Sequence, residues 1–457
     1  MRLLLAFCLL AACTSTREPA SDSAPVVIEP RRSDSTPPHR GDPTQPDLPR
    51  TAALQTGAER LVQGGFVELR GLRVGLIANH TTTVNGRHLA DILNSAPNVR
   101  LTALFGPEHG IRGDADAGAH ITNGRDTATG VHIFSLYGRH RAPTDSMMAN
   151  LDALVFDVQD VGARFYTYIS TMGLSMQSAA RKGIPFIVLD RPNPLGGQYV
   201  GGFILEPPQT SFVGQFTIPQ IHGLTVGEMA RMIKGEALLP GLERLDLRVV
   251  SMSGWPRTTL WSDTGRPWVP TSPNIPTFET ALIYAGTCLF EGTVASEGRG
   301  TRRPFTTLGA TWADGERLAA DLNARRLPGV RFRAIRFTPE SIPGMSASPK
   351  LLGRALSGIE IEVTDPHAVQ PVELGIHALD AFLAQAPDRA AFFERPAAFD
   401  RLSGTPRLRE ERVECVDAQF DGLHGVRVGY LDLDAAEGAA EQLRAGRHPR
   451  DGLGRET

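Results

Sequence analysis

Four apolar runs, each closing on a cluster of polar side chains, restrict this chain to a small set of folds. Val74–Ala78 ends in Asn79, His80 and three threonines, and Leu101–Phe105 ends in a Gly-Pro turn that carries Glu108, His109 and Arg112 among Gly106, Gly110 and Gly113. Ala153–Val158 brings Asp157, Gln159, Asp160 and Arg164, while Pro185–Leu189 brings Asp190, Arg191, Pro192 and Asn193. Runs rich in Val, Ile, Leu and Phe read as strands buried on both faces. Between the third and fourth, apolar residues fall at near-helical spacing over Phe165–Arg181, with Lys182, Gly183 and Pro185 supplying a basic last turn, a C-cap and a stop. A shorter helix is expected over Arg87–Leu93. Strand, helix and strand in alternation predict parallel pairing through right-handed crossovers. The fold class is therefore α/β, with a Rossmann-like, mostly parallel sheet whose carboxyl ends share one crevice.

The motifs that would place a nucleotide on such a sheet are missing. Neither GxGxxG nor GxxxxGK[ST] occurs, so no cofactor is expected. HExxH and the GxSxG elbow are absent too, which argues against zinc peptidase and serine hydrolase chemistry, and His80 and His109 lack the spaced partners a metal would need. The net charge of −3 and the lack of a long basic run argue against nucleic acid.

A second polar concentration follows Trp268. A Pro-broken loop leads to a helix expected from near Pro276 to Gly292, then to Ser296–Arg303, where glycines alternate with Glu297, Arg299, Arg302 and Arg303. Such a stretch makes a poor helix and a poor strand and is expected to fold over a ligand. Further on, Ile359–Val363 alternates like a half-buried strand and Leu374–Leu383 has helical spacing, as in a smaller α/β C-terminal domain.

The N-terminus speaks to location. Leu3–Ala12 is an apolar run too short to span a bilayer, and it ends in Leu10-Ala11-Ala12-Cys13. The tetrad resembles a bacterial lipobox, which implies a signal peptide over 1–12, a lipid on Cys13 and, with Thr14 following, retention at the periplasmic face of the outer membrane. Residues 13–50, rich in Ser, Thr and Pro, are expected to form a flexible tether, leaving a catalytic domain over 51–270 and a C-terminal domain over 271–457. Cys288 and Cys415 remain for the mature fold, either bridged or as buried thiols.

Taken in order, GLIANHT, LFGPEHGIRG, DVQDVGARFYTYISTM, DRPNPLGG, HGLTVGEMA, WVPTSPNIPT and EGTVASEGRGT, with KLLGRALSGIEIEVTD at Lys350–Asp365, resemble the NamZ family of exo-β-N-acetylmuramidases. The resemblance runs from about Gly57 to the C-terminus. It implies a Rossmann-like catalytic domain, a smaller α/β domain and a cleft near their junction. It also implies release of single N-acetylmuramic acid residues from the non-reducing ends of peptidoglycan fragments, with Glu108 matching the catalytic Glu.

Glycoside hydrolysis asks for a carboxylic acid at the leaving oxygen and a second group as nucleophile, water base or cation stabiliser. Glu108 suits the first role. Asp157, Asp160, Asp190 and Glu297 are eligible by type for the second, with Asp160 and Glu297 the candidates; the substrate's own acetamido group is the alternative. The lactyl carboxylate of muramic acid calls for a planar guanidinium, for which Arg299, Arg302 and Arg164 are candidates. Tyr166 and Tyr168 are expected to divide between core and sugar contact, since positions i and i+2 of a helix face apart. Asn79 and His80 suit an acetamido group or sugar hydroxyls. His109, Arg112, Asp157, Gln159, Asp190 and Asn193 complete the strand-end binding candidates. Two other readings use the same residues: a lipoprotein that binds wall fragments without cleaving them, and a wall amidase or esterase, for which no Ser, Cys/His or zinc pattern is present.

Overall fold

The structure, a computed structural model, describes residues 53–108, 110–113 and 124–414. The N-terminal apolar run, Cys13, the tether, His109 and Cys415 lie outside the described residues.

A seven-stranded sheet forms the centre: β1 (Arg73–Ala78), β2 (Arg100–Gly106), β3 (Gly124–Arg125), β4 (His132–Ser135), β5 (Ala153–Asp157), β6 (Phe186–Leu189) and β7 (Leu247–Val250), in the spatial order β3-β4-β2-β1-β5-β6-β7. All pairings are parallel except that of the short edge strand β3 with β4. The four apolar runs are the four neighbouring strands β2, β1, β5 and β6. From β1 the chain builds outward on one side through β2, then returns to lay β5 on the other. This reversal opens a crevice beyond the carboxyl ends of the strands.

Alternation over two buried faces explains why these runs are almost wholly apolar. Ile77, Phe105, Phe156 and Val188 face one core, while Leu76, Leu104, Val155 and Ile187 face the other. Each such side chain contributes roughly 1.5–3 kcal/mol on burial. The first core is closed by α3 (Tyr168–Lys182) and α4 (Val226–Gly235), the second by α1 (Gly57–Gln63) and α2 (Leu89–Ser95). Capping boxes, Thr56 with Glu59 and Thr225 with Glu228, start α1 and α4, and Gly183 at φ 73° ends α3.

Both expected helix starts move. α2 begins at Leu89 because Arg87 and His88 pair with Val84 and Thr83 in a small hairpin, turned by Asn85 and Gly86 at positive φ. α3 begins at Tyr168 because Ala163 bridges to Ile221, the Arg164 amide donates to the Gln220 carbonyl and the Tyr166 amide donates to the Ala163 carbonyl, so the residues just before Tyr168 form turns.

A second, antiparallel sheet of β8 (Thr307–Ala310), β9 (Val330–Phe337) and β10 (Leu356–Val363), ordered β8-β10-β9, packs with α5 (Phe278–Thr287), α6 (Gly315–Ala324) and α7 (Pro371–Gln385). Its core takes in Val161, Ala163, Phe165, Leu195 and Ile221, which come from loops of the first sheet, beside Leu282, Phe290, Phe305 and Phe382. The two sheets thus belong to one compact unit. Among the described residues no helix is long and apolar enough to cross a membrane.

Candidate active site

A cavity of about 700 Å³ lies where the carboxyl end of the first sheet meets the second layer. Glu108, Tyr137, Gly138 and Arg141 enter it from the turns after β2 and β4, and Phe165, Tyr166 and Thr167 from the approach to α3. Ser272, Asn274 and Ile275 come from the Pro-broken loop, Tyr284, Cys288 and Glu291 from α5 and its 3-10 continuation Cys288–Gly292, and Arg299 and Phe305 from the glycine-rich loop. Ser211, Phe212, Val213, Arg401 and Leu402 complete the wall.

Glu108 reaches the cavity because β2 stops abruptly. The Gly110 amide donates to the Pro107 carbonyl at 3.0 Å, Gly110 sits at φ 73°, and a Cβ on Gly106 would lie 3.3 Å from the Gly110 Cα. Tyr137 hydrogen-bonds the Glu108 carboxyl, and burial, followed by the charge of Glu108, pushes its phenol up to about 12. The phenol therefore stays protonated and serves as donor. Tyr166 and Tyr168, both shifted upward mainly by burial, also feel the Glu108 charge. Their rings meet edge to face at 5.0 Å, and the Tyr168 hydroxyl donates to the Thr271 carbonyl at 3.1 Å. The expected division between core and site fails in its reasoning. Tyr166 precedes the helix, so helical spacing does not separate the two; Tyr166 lines the cavity and Tyr168 is buried beside it.

A second carboxylate on the wall, Glu291, is absent from the sequence-based candidates. Arg299 Nη2 donates to Glu291 Oε1 at 2.6 Å, its Nε faces Glu297 Oε1 at 3.5 Å, and its guanidinium lies 5.0 Å from the centre of the Phe305 ring. Burial opposes the charge of Arg299, yet Glu291 and Glu297 raise its pKa above the ordinary value. Glu297 is itself buried behind this wall, 2.7 Å from Lys350 Nζ, which also donates to the carbonyls of Phe290, Thr293 and Ala295. Lys350, Glu297, Arg299 and Glu291 form a chain of alternating charge whose last two members face the cavity.

The glycine-rich loop is packed rather than free to fold over a ligand. A Cβ on Gly298 would meet the Thr307 carbonyl at 2.4 Å, and one on Gly300 the Glu340 carbonyl at 2.6 Å. Arg302 points outward, exposed and away from the cavity. Arg164 is corrected more sharply: its side chain is fully buried, with Nη1 donating to the Phe203 and Ile218 carbonyls and Nη2 to that of Leu402. It braces loops and cannot reach a substrate. Arg112 is likewise consumed, gripped by Asp91 at 2.7 Å and Asp126 at 2.8 Å.

The other strand-end candidates hold their own turns and do not line the cavity. Asp157 accepts from Arg191 Nε at 2.5 Å, Asp190 accepts the Gly227 amide at the start of α4, and Asn193 accepts from Leu195 and donates to Leu224. Gln159 donates to the carbonyls of Asp160 and Pro192, and Asn79 accepts from the Thr81 amide and hydroxyl. His80 Nε2 contacts the Pro270 carbonyl at 2.5 Å, while Asp160 accepts the Gly162 amide at 2.7 Å with His222 Nε2 at 3.6 Å. Cys288 is a free, buried thiol whose pKa burial drives well up, the opposite of what a thiolate nucleophile needs.

Residues 74–279 match the family model described as the N-terminal part of exo-β-N-acetylmuramidase NamZ, and residues 282–418 match that of its C-terminal part. The chain is similar to the peptidoglycan β-N-acetylmuramidase NamZ of Bacillus subtilis (strain 168), with 43% identity over 357 residues, covering 78% of this chain and 83% of the relative. Two crystal structures of DUF1343 family proteins from Bacteroides fragilis NCTC 9343 resemble it, at TM-scores of 0.72 and 0.64 and identities of 40% and 32%. Each alignment covers 79% of this chain and 91% of the other.

Proposed function

The chain belongs to the NamZ family of exo-β-N-acetylmuramidases, and from that premise we infer a glycoside hydrolase of peptidoglycan whose acid is Glu108. It releases N-acetylmuramic acid from the non-reducing ends of glycan fragments. The observation that carries the assignment of the acid is the position of Glu108 on the cavity wall, its carboxyl hydrogen-bonded by Tyr137 and its charge felt by Tyr166 and Tyr168. Protonated Glu108 gives its proton to the glycosidic oxygen as the bond to the anomeric carbon breaks, and the positive charge growing on the sugar needs a negative neighbour. Glu291 supports that second role better than Asp160 or Glu297. It lines the same cavity and accepts from the Arg299 guanidinium at 2.6 Å.

The direct test is a disaccharide with N-acetylmuramic acid at its non-reducing end. The purified protein should release the free sugar from it and leave untouched a disaccharide ending in N-acetylglucosamine. Binding without release would favour the fragment-binding lipoprotein instead.

The Leu10-Ala11-Ala12-Cys13 tetrad supports anchoring of this activity at the cell envelope through a lipid on Cys13, with residues 14–50 as the tether.

A further inference from the structure

Among the arginines on the cavity wall, Arg299 is neutralised by its glutamates, and Arg141 has no carboxylate partner among the described residues. Instead its guanidinium carbon lies 4.4 Å from the centre of the Phe212 ring, another wall residue. A guanidinium held over an aromatic face is restrained in position while its N–H donors remain available to a carboxylate. Arg141 also stands close to the acid, since its charge acts on the same Tyr137 phenol that binds Glu108. Arg401, exposed like Arg141, also has no carboxylate partner among the described residues, but it has no ring beneath it.

We propose that Arg141, held over the Phe212 ring at the wall of the Glu108 cavity, binds a carboxylate of the substrate and so determines specificity. The inference rests on the muramidase reading. In such a substrate a carboxylate has two sources, the lactyl ether when no peptide is attached and the stem peptide when one is. Arg141 replaces Arg164, Arg299 and Arg302, whose guanidiniums are buried, neutralised or turned away.

The test compares kcat/KM for the wild type, R141A, R141K and R401A on three disaccharides that end in N-acetylmuramic acid. One carries the free lactyl carboxylate, one has it converted to a methyl amide, and one is extended by a peptide with its own carboxylates. R141A should lose about ten- to hundred-fold on a carboxylate-bearing substrate and little on the amide, with R141K in between. Loss confined to the first substrate assigns the lactyl group; loss confined to the third assigns the peptide. Equal loss on all three, no loss, or the same selective loss in R401A rather than R141A overturns the proposal. Should R141A fail to fold, R141K and F212L carry the same comparison. If the wild type cleaves none of the three, the muramidase reading falls and the inference with it, whereas wild-type cleavage with uniform loss in R141A overturns the inference alone.

Discussion

Tyr137 hydrogen-bonds Glu108, so the carboxyl that ends β2 is held by a phenol delivered from the turn after the neighbouring strand β4. Parallel pairing of β2 with β4 puts both strand ends on one edge of the sheet, and the acid is oriented by the pairing that builds the core. E108Q preserves shape and removes the transferable proton. Turnover should fall by about two to four orders of magnitude while the protein stays folded. An aryl glycoside with an activated leaving group should recover much of that loss, since it needs less protonation; near-normal release from the natural disaccharide would dismiss Glu108 as the acid.

Glu291 and Glu297 offer a paired comparison. If Glu291 is the carboxylate opposite the growing positive charge, E291Q should cost roughly a hundred-fold or more in kcat with a smaller change in KM. E297Q should cost less, because Glu297 does not line the cavity and reaches it through Arg299. Steady-state kinetics decide it, and a larger kcat defect in E297Q would reverse the assignment.

R164M should harm stability and spare chemistry. Three carbonyls lose a donor, and only that of Ile218 keeps another, the Leu205 amide, so the loss is expected to be on the order of 2–3 kcal/mol. Denaturant unfolding measures the loss, and specific activity of the folded fraction should stay within a few-fold of the wild type. Selective loss of activity on muramic acid substrates would return Arg164 to the binding site.

The Arg112 clamp supplies a pH signature. Hydrogen bonds from Arg112 hold the carboxyls of Asp91 and Asp126 below their ordinary range. A depressed folded pKa stabilises the protein above the unfolded value near 4 and is lost as pH falls through the folded values. The melting-temperature gap between wild type and R112M should therefore be full at pH 7 and close progressively below about pH 4. A gap constant down to pH 2 would mean the clamp contributes by packing alone.

Anchoring is tested by C13S. The variant should move from the membrane fraction to the soluble one or keep an uncleaved leader, and radiolabelled lipid should mark only the protein with Cys13. Equal lipid incorporation in both would rule out that cysteine.

What the sequence disclosed, and what it hid, follows from how local each signal is. The run Leu101–Phe105 and the Gly-Pro turn after it name a buried strand and, at its carboxyl end, Glu108 within a dozen residues, so both were legible. Arg164 was read as an anion binder from its residue type, because nothing near it shows that Phe203, Ile218 and Leu402 bring their carbonyls to it. Glu291 sits at the end of an apolar helix and reads as a helix terminus; its place on the wall depends on Arg299 and, behind that, Lys350. Arg141 follows β4, a strand of four residues too short to announce itself. The missed residues lie in the 3-10 continuation of α5 and in the loop that follows β4.

The contact between Arg164 and the Leu402 carbonyl also bears on the order in which the protein can be completed. A chain leaving the ribosome presents the strands of the first sheet long before residue 402 emerges. Until then a guanidinium destined for the interior lacks one of its acceptors, and Arg401 and Leu402, part of the cavity wall, have not arrived. A fragment ending near residue 279 should therefore be a substrate for proteolysis rather than a working half, with activity expected only once residues 401 and 402 are in place.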